Sequence, residues 1–373
     1  MRIRGKHYRT GHLCEVEWHQ GRILAISECR SVTPDLEAEW ISPPLFDLQI
    51  NGGGGVNFSS GRLRVEEVQR VVEHCRAHGI GGFCPTLITQ SEATLHQGFM
   101  TLCAARRQSR EIASAIPAFH LEGPYIARED GPRGAHPLAH VRPPDWDEFR
   151  RLQESAEGLI RLVTLAPELP GSLPFIEKLI AAGCVAAIGH TAATPATIRD
   201  AVQAGARLST HLGNGSHALL PRHENYIWEQ LDQDLLWASL IVDGSHLPAA
   251  LVRTIVKVKT PERLILTCDA SSLAGMPPGD YLEWEQDLQI LKEGKIIVKR
   301  SGFLAGSWHF TDACVSRFLK MTGLDLATGI DLASNQPRRL LGLPVTELVV
   351  GAETGLMLFD WQPGEELVVR QVL

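Results

Sequence analysis

Residues 120–125 read His120-Leu121-Glu122-Gly123-Pro124-Tyr125. A short apolar run, 115–119, precedes them, and the Gly-Pro pair ends the regular pattern. That is the signature of a buried strand running into a turn, with Glu122 at the strand's C-terminal tip. A carboxylate buried there costs energy unless something pairs with it. Two later stretches supply partners. Val185-Ala186-Ala187-Ile188-Gly189-His190-Thr191 and Leu208-Ser209-Thr210-His211-Leu212 are also short apolar strands, each running into a histidine. One strand-end histidine is commonly a hydrogen-bonded structural residue. Glu122, His190 and His211 together, each at the tip of its own strand, can give three ligands to one divalent metal and leave the fourth position to water, as in a catalytic zinc site. The same two-His-one-carboxylate set suits non-haem Fe(II), so ligand type leaves both metals open.

Apolar runs of this kind recur at 45–50, 82–88, 118–122, 162–165, 185–190, 208–211, 239–242 and 264–268. Their spacing is about that of βα units. The segments between carry helix signals. Residues 64–78 place Val65, Val68, Val72 and Cys75 on one face and run into Gly79. Thr194-Pro195 reads as an N-cap followed by proline at the first helical position, with Gly205 closing that helix, and Gly183 ends the helix 172–182. Eight such units predict a (β/α)8 TIM barrel over 45–344. An open doubly wound sheet is the alternative. The barrel is preferred because polar residues cluster just after the strands, where barrel active sites form. Both ends of the chain are different. Residues 13–18 and 22–26 flank the turn His19-Gln20-Gly21, and 356–359 and 367–372 flank Gln362-Pro363-Gly364. They predict a small β-sandwich lobe built from 1–44 plus 345–373.

At 373 residues the chain can bury a large core. Its 44% apolar and 21% charged residues are those of an ordinary globular protein. A formal charge of −7 with no basic stripe argues against nucleic acid as a partner. No stretch has the length and apolarity of a membrane span. The basic start, Met1 to Lys6, is not followed by an apolar signal core. Eight cysteines contain no CxxC pair, and Cys84, Cys184 and Cys268 lie inside apolar runs. They read as buried free thiols of a cytoplasmic protein.

Asp269 comes directly after the apolar run Leu264-Ile265-Leu266-Thr267-Cys268 and reaches the same rim as the candidate ligands. A carboxylate there can take a proton from an attacking water and return it to a leaving nitrogen; otherwise it is a turn or capping aspartate. His246, in Asp243-Gly244-Ser245-His246, can orient a polar substrate or simply bond a nearby carbonyl, and the loop Gly131-Pro132-Arg133-Gly134-Ala135-His136 brings His136 towards the same rim, although loop histidines are usually solvated. The run Gly52 to Gly55 lacks the spacing of a nucleotide fingerprint and instead permits close backbone approach to a ligand or loop. Trp228, Trp237, Trp284 and Trp308 read as packing residues.

Taken together, the stretches Asp47-Leu48-Gln49-Ile50-Asn51-Gly52, His120-Leu121-Glu122-Gly123-Pro124, Gly134-Ala135-His136, Ile188-Gly189-His190-Thr191, Thr210-His211-Leu212, Asp243-Gly244-Ser245-His246, Cys268-Asp269-Ala270 and Leu304-Ala305-Gly306-Ser307 resemble the N-acetylglucosamine-6-phosphate deacetylases of the amidohydrolase superfamily, in family order and over nearly the whole chain. The resemblance implies hydrolysis of the acetamide of an amino-sugar phosphate, with Glu122, His190 and His211 as metal ligands, Asp269 as catalytic base, and His136 and His246 as sugar contacts. Many amidohydrolases carry a His-x-His pair on the first strand. Gln49 and Asn51 stand there, similar to deacetylases with a single metal, so one ion is expected, zinc before iron. The family also implies a homodimer, in which an arginine reaches the sugar phosphate from the partner subunit. Asn214 and Arg222 match the phosphate-binding region, and Gly215 adds an unobstructed backbone N–H. The surroundings depart from the family: Gly213-Asn214-Gly215-Ser216 replaces an aromatic followed by Asn-Ala-Met, and Arg222-His223-Glu224-Asn225 replaces Arg-Glu-Pro-Gly. Reaction type is therefore more firmly implied than substrate.

The residues support three functional readings. The first is metal-dependent deacetylation of N-acetylglucosamine 6-phosphate. The second is a related amidohydrolase acting on a non-phosphorylated N-acyl sugar, another amide or a cyclic ureide. The third is a barrel without catalysis that serves as a binding or scaffold protein, against which the ligand set and Asp269 argue. Metal content separates the third from the others.

Overall fold

The computed structural model describes residues 1–28 and 33–373. Eight parallel strands form its centre: β1 (Leu45–Ile50), β2 (Ile80–Ile88), β3 (Phe119–Glu122), β4 (Ile160–Leu165), β5 (Val185–Ile188), β6 (Leu208–Ser209), β7 (Trp237–Ile241) and β8 (Leu264–Thr267). Each is hydrogen-bonded to the next in chain order. The ends of this sheet meet, because Ile50 bridges Ala270 in parallel and the Asn51 N–H donates to the Ala270 carbonyl at 2.9 Å. The sheet is a closed barrel, not an open doubly wound one. Helices cover its outer face, so its strands are buried on both sides and read as continuous apolar runs.

The helices form where the local signals put them. Val65–Ala77 buries Val68, Val71, Val72 and Cys75. Thr194 caps Pro195–Ala204 by accepting from the Thr197 N–H, and Gly205 ends that helix at φ 117°. Inside the barrel the lower floor is apolar, with Phe46, Leu48, Cys84, Ala118, Leu162 and Ala187 in one cluster. One step higher on alternate positions come Thr86, His120 and Thr164, and one more step reaches Glu122 at the rim.

Asp47 fastens the seam between first and last strands. Fully buried, its carboxylate accepts from the hydroxyls of Thr267 and Thr311 and from the N–H groups of Cys268 and Gln49. Burial pushes its carboxyl up, and those four donors oppose the shift. Asp47→Ala leaves them without their acceptor. A loss of about 3 kcal/mol or more in unfolding free energy is expected in a urea titration. An unchanged midpoint would show that strand pairing alone holds the seam.

The two termini meet in a second sheet. Its strands run in the order Val368–Val372, Met357–Asp360, Leu36–Ser42, Arg2–His7, Leu13–His19, Arg22–Glu28. The lobe expected from both ends is present, with these strands joined in one six-stranded sheet rather than two. Gln20 and Gly21 turn between its last two strands at φ 46° and 83°, the left-handed pair that a two-residue hairpin requires.

A third sheet has no counterpart among the strands expected from sequence. Gly279–Glu283, Gln286–Ile290 and Ile296–Val298 form an antiparallel meander between β8 and the helix Thr311–Thr322. No helix of the described residues is long and apolar enough to cross a membrane. The seven described cysteines are buried, Cys75, Cys84, Cys103, Cys184, Cys268 and Cys314 as free thiols, and the eighth, Cys29, lies outside the described residues.

Candidate active site

Glu122 ends β3, and His190 and His211 each lie two residues beyond their strands. All three side chains are buried. The Nε2 atoms of His190 and His211 stand 3.1 and 3.0 Å from Glu122 Oε1, and 3.1 Å from each other. Two imidazole nitrogens facing one oxygen and each other cannot all be satisfied by protons. A cation answers all three: tetrahedral ligands about 2.0 Å from zinc lie about 3.3 Å apart. His190 Nδ1 lies 2.8 Å from the Pro132 carbonyl, which fixes the proton on Nδ1 and leaves the Nε2 lone pair free. The donor set therefore fits a divalent metal.

His136 stands close by. Its Nδ1 meets Thr89 Oγ1 at 2.8 Å and its Nε2 lies 3.9 Å from Glu122 Oε2. Glu122, His136 and His190 also form a group whose ligand atoms lie within 4.8 Å of one another. The triangle containing His211 is the tighter of the two. Burial, with the neighbouring His190, holds His136 well below the usual histidine range, so its ring is neutral.

Asp269 reaches the same space from beyond β8. Its Oδ1 accepts from Gln49 Nε2 at 2.9 Å and Asn51 Nδ2 at 2.7 Å, and Gln49 Nε2 also donates to Glu122 Oε1 at 2.8 Å. Burial and the Glu122 charge push the Asp269 carboxyl well above the usual range. Burial would push Glu122 up too, but the neighbouring His190 and His211 outweigh it and hold that carboxyl well below. Two carboxyl groups pushed apart in this way can separate an ionised role from a proton-exchanging one.

Backbone conformation aims these groups. His190, His211 and Asp269 have φ of 52°, 31° and 51°. Residues other than glycine rarely adopt this left-handed region, and such strain concentrates at active sites.

The cavity over these residues is lined by every candidate site residue except Arg222. His246 Nδ1 meets Asp243 Oδ2 at 2.9 Å. Asp243 Oδ1 also accepts from the N–H groups of Ser245 and His246, so the ring is fixed from two sides. Asn214 Nδ2 donates to the His211 carbonyl, and a Cβ on Gly215 would fall 2.8 Å from His190 Nδ1, which is why glycine lets that loop lie against the histidine. Arg222 is exposed and lies outside the cavity of its own chain. The glycine run serves a neighbouring loop: a Cβ on Gly52 would fall 1.9 Å from the Val56 carbonyl oxygen, and the Gly54 and Gly55 N–H groups donate to Ala274 and Ser272. Trp284, expected from sequence to be a packing residue, also lines the cavity. A bulky residue inside Glu283-Trp284-Glu285-Gln286, a polar turn, was the available signal.

No family model matches the chain. Among curated relatives, an N-acetylglucosamine-6-phosphate deacetylase of Bos taurus is 35% identical over 334 residues, 86% of this chain and 79% of that protein. An N-acetylgalactosamine-6-phosphate deacetylase of Escherichia coli O157:H7 is 32% identical over 87% of this chain and 84% of its own length. Among solved structures, N-acetyl-D-glucosamine-6-phosphate deacetylase from Mycobacterium smegmatis superposes with a TM-score of 0.88 at 31% identity, covering 100% of this chain and 98% of that one.

Proposed function

The chain belongs to the N-acetylglucosamine-6-phosphate deacetylase family, and from that premise we propose that it hydrolyses N-acetylglucosamine 6-phosphate to glucosamine 6-phosphate and acetate. The observation that carries the reading is the convergence of Glu122, His190 and His211 on one point, with Asp269 in the same cavity. Those three residues would hold one divalent ion, and zinc is the ion proposed. Gln49 and Asn51 are committed as amide donors to carboxylates, which supports a single ion. When bound, that ion supplies a Lewis acid for the acetamide carbonyl and acidifies the attacking water.

The remaining steps belong to the chain. Asp269 takes the proton of the attacking water and delivers it to the departing sugar nitrogen. Gln49 and Asn51 hold its Oδ1, so Oδ2 is the oxygen that works. His246, oriented by Asp243, and His136 hold sugar or acetamide oxygens. Asn214 and the Gly215 N–H take the phosphate, whose remote binding energy positions the acetamide. Arg222, exposed on its own subunit, reaches the partner's cavity in a homodimer. The buried thiols of Cys84, Cys184 and Cys268 suit a reducing cytoplasm.

The substrate is tested by kcat/KM for N-acetylglucosamine 6-phosphate and for N-acetylglucosamine. The phosphorylated sugar is the better substrate, and Arg222→Ala lowers its kcat/KM about tenfold while barely affecting the free sugar. Equal efficiency on both sugars in the wild type would remove the phosphate from this account and leave the hydrolysis standing.

A further inference from the structure

The turn that carries the proposed phosphate contacts is pinned by the residue that follows it. Asn214 and Gly215 sit on a turn that starts at His211, whose carbonyl accepts from the Asn214 N–H at 2.9 Å. Ser216 Oγ then donates to the Asn214 carbonyl at 3.1 Å. His217 comes next. It does not line the cavity, yet its main chain and both ring nitrogens are engaged. The His217 N–H donates to the Tyr226 hydroxyl at 2.8 Å, Nδ1 stands 3.0 Å from that same oxygen, and Nε2 stands 2.9 Å from Glu129 Oε2. A carboxylate only accepts, so Nε2 carries the proton towards Glu129, and Nδ1 can accept from the Tyr226 O–H.

The two anchors belong to different parts of the rim. Tyr226 opens the helix Tyr226–Asp232 and is 3% exposed, so it is a fixed post. Glu129 lies in the loop after β3, the loop that also carries Pro132 and His136. The two loops touch at a glycine: a Cβ on Gly131, at φ 96°, would fall 3.1 Å from the Ser216 carbonyl oxygen and 3.2 Å from His217 Cα. His217 therefore spans the seam between the loop of a proposed sugar contact and the turn of the proposed phosphate contacts. Rim loops are the parts of a barrel that move most. A ligand that must first order such a loop loses affinity to that ordering.

We propose that His217 is a positioning residue for phosphate recognition: without touching substrate, it holds the Asn214–Gly215 turn in its binding geometry by joining Tyr226 to Glu129. The inference rests on the reading that Asn214 and Gly215 take the phosphate. Among the described residues no arginine or lysine lines the cavity. Within one chain the phosphate meets only neutral donors at this turn, and their worth depends on alignment. A turn already set offers the Asn214 amide and the Gly215 N–H without that ordering cost. The acetamide end does not depend on the bridge, because Glu122, His190, His211 and Asp269 stand at strand tips. The loop of His136 also keeps its own ties, His136 to Thr89 and the Pro132 carbonyl to His190. Loss of His217 thus falls on binding of the phosphorylated sugar and spares the chemical step. Tyr226 is buried and the Glu129 side chain is 64% exposed, so the contact with Glu129 is the weaker half of the bridge.

The experiment is kcat and KM for N-acetylglucosamine 6-phosphate and for N-acetylglucosamine in wild type, His217→Ala, His217→Gln, Glu129→Ala and the double variant of His217→Ala with Glu129→Ala, with a melting temperature for each protein. His217→Ala is expected to raise KM for the phosphorylated sugar about tenfold, with kcat within about twofold of wild type and the free sugar almost unaffected. Glu129→Ala raises the same KM about threefold, as an exposed pair should. The double variant does no worse than His217→Ala alone, because both changes break one bridge. His217→Gln recovers most of the loss, since its amide can donate to Glu129 and accept from the Tyr226 O–H. An unchanged KM in His217→Ala, a loss that falls on kcat, or an equal loss on both sugars overturns the assignment; the last, with a lowered melting temperature, is what a merely structural residue gives. Should His217→Ala fail to fold, Glu129→Ala with the wild-type KM overturns it alone. Wild type that handles both sugars equally removes the phosphate reading and this inference with it, whereas wild type that prefers the phosphorylated sugar, matched by His217→Ala, overturns the inference only.

Discussion

Asp269→Asn is expected to keep its fold and its metal while kcat falls at least roughly 10²-fold, the range of lost general acid–base catalysis. Asparagine is nearly the same size, and the Glu122, His190 and His211 triangle does not include this side chain. What changes is the proton. Gln49 and Asn51 both donate to Asp269 Oδ1, so an amide oxygen there can still accept from them, but an amide nitrogen at the second position cannot take a proton from water. Single-turnover acetate release separates this chemical step from binding. Turnover near wild type would move the base to another group.

His190→Ala and His211→Ala act one step earlier. Each removes one corner of a triangle whose edges are 3.0–3.1 Å, and the two remaining donors hold a zinc ion poorly. Metal analysis after dialysis is expected to find about one ion per wild-type chain and almost none in either variant, with activity lost in proportion. The variants differ in one respect. His190 is anchored through Nδ1 to the Pro132 carbonyl, so its loss also frees the loop that carries His136, and weaker sugar binding should accompany the lost metal. If both variants retained a full ion, the ligand set would lie elsewhere, and the group that includes His136 would be the next to test.

The barrel was readable because parallel strands covered on both faces are apolar without interruption, as in Leu264-Ile265-Leu266-Thr267. Candidate site residues at strand ends stood out because a charged or imidazole side chain after such a run needs a reason. Other features leave no such trace. The strands Arg2–His7 and Leu36–Ser42 bury only part of one face and alternate apolar with charged residues, so they resemble loops at a distance. The meander after β8 occupies an interval where the barrel rhythm calls for a helix, and its strands carry Asp280, Glu283 and Asp287. Positive φ at His190, His211 and Asp269 is invisible in a residue string, since no glycine marks those positions. Arg222 shows a different limit. Residue type suggests a phosphate contact, but the residue is exposed and lies outside the cavity of its own chain, which a sequence does not show.

One measurement bears on the central claim more directly than any variant. The purified protein is stripped with a chelator, reloaded with increasing zinc, and assayed for acetate and free amine from N-acetylglucosamine 6-phosphate. The account predicts no turnover in the stripped protein, equal amounts of acetate and amine from the reloaded one, and activity that rises in step with zinc until about one ion per chain is bound. A fully loaded protein that releases no acetate, or a stripped one that turns over at the full rate, would contradict it.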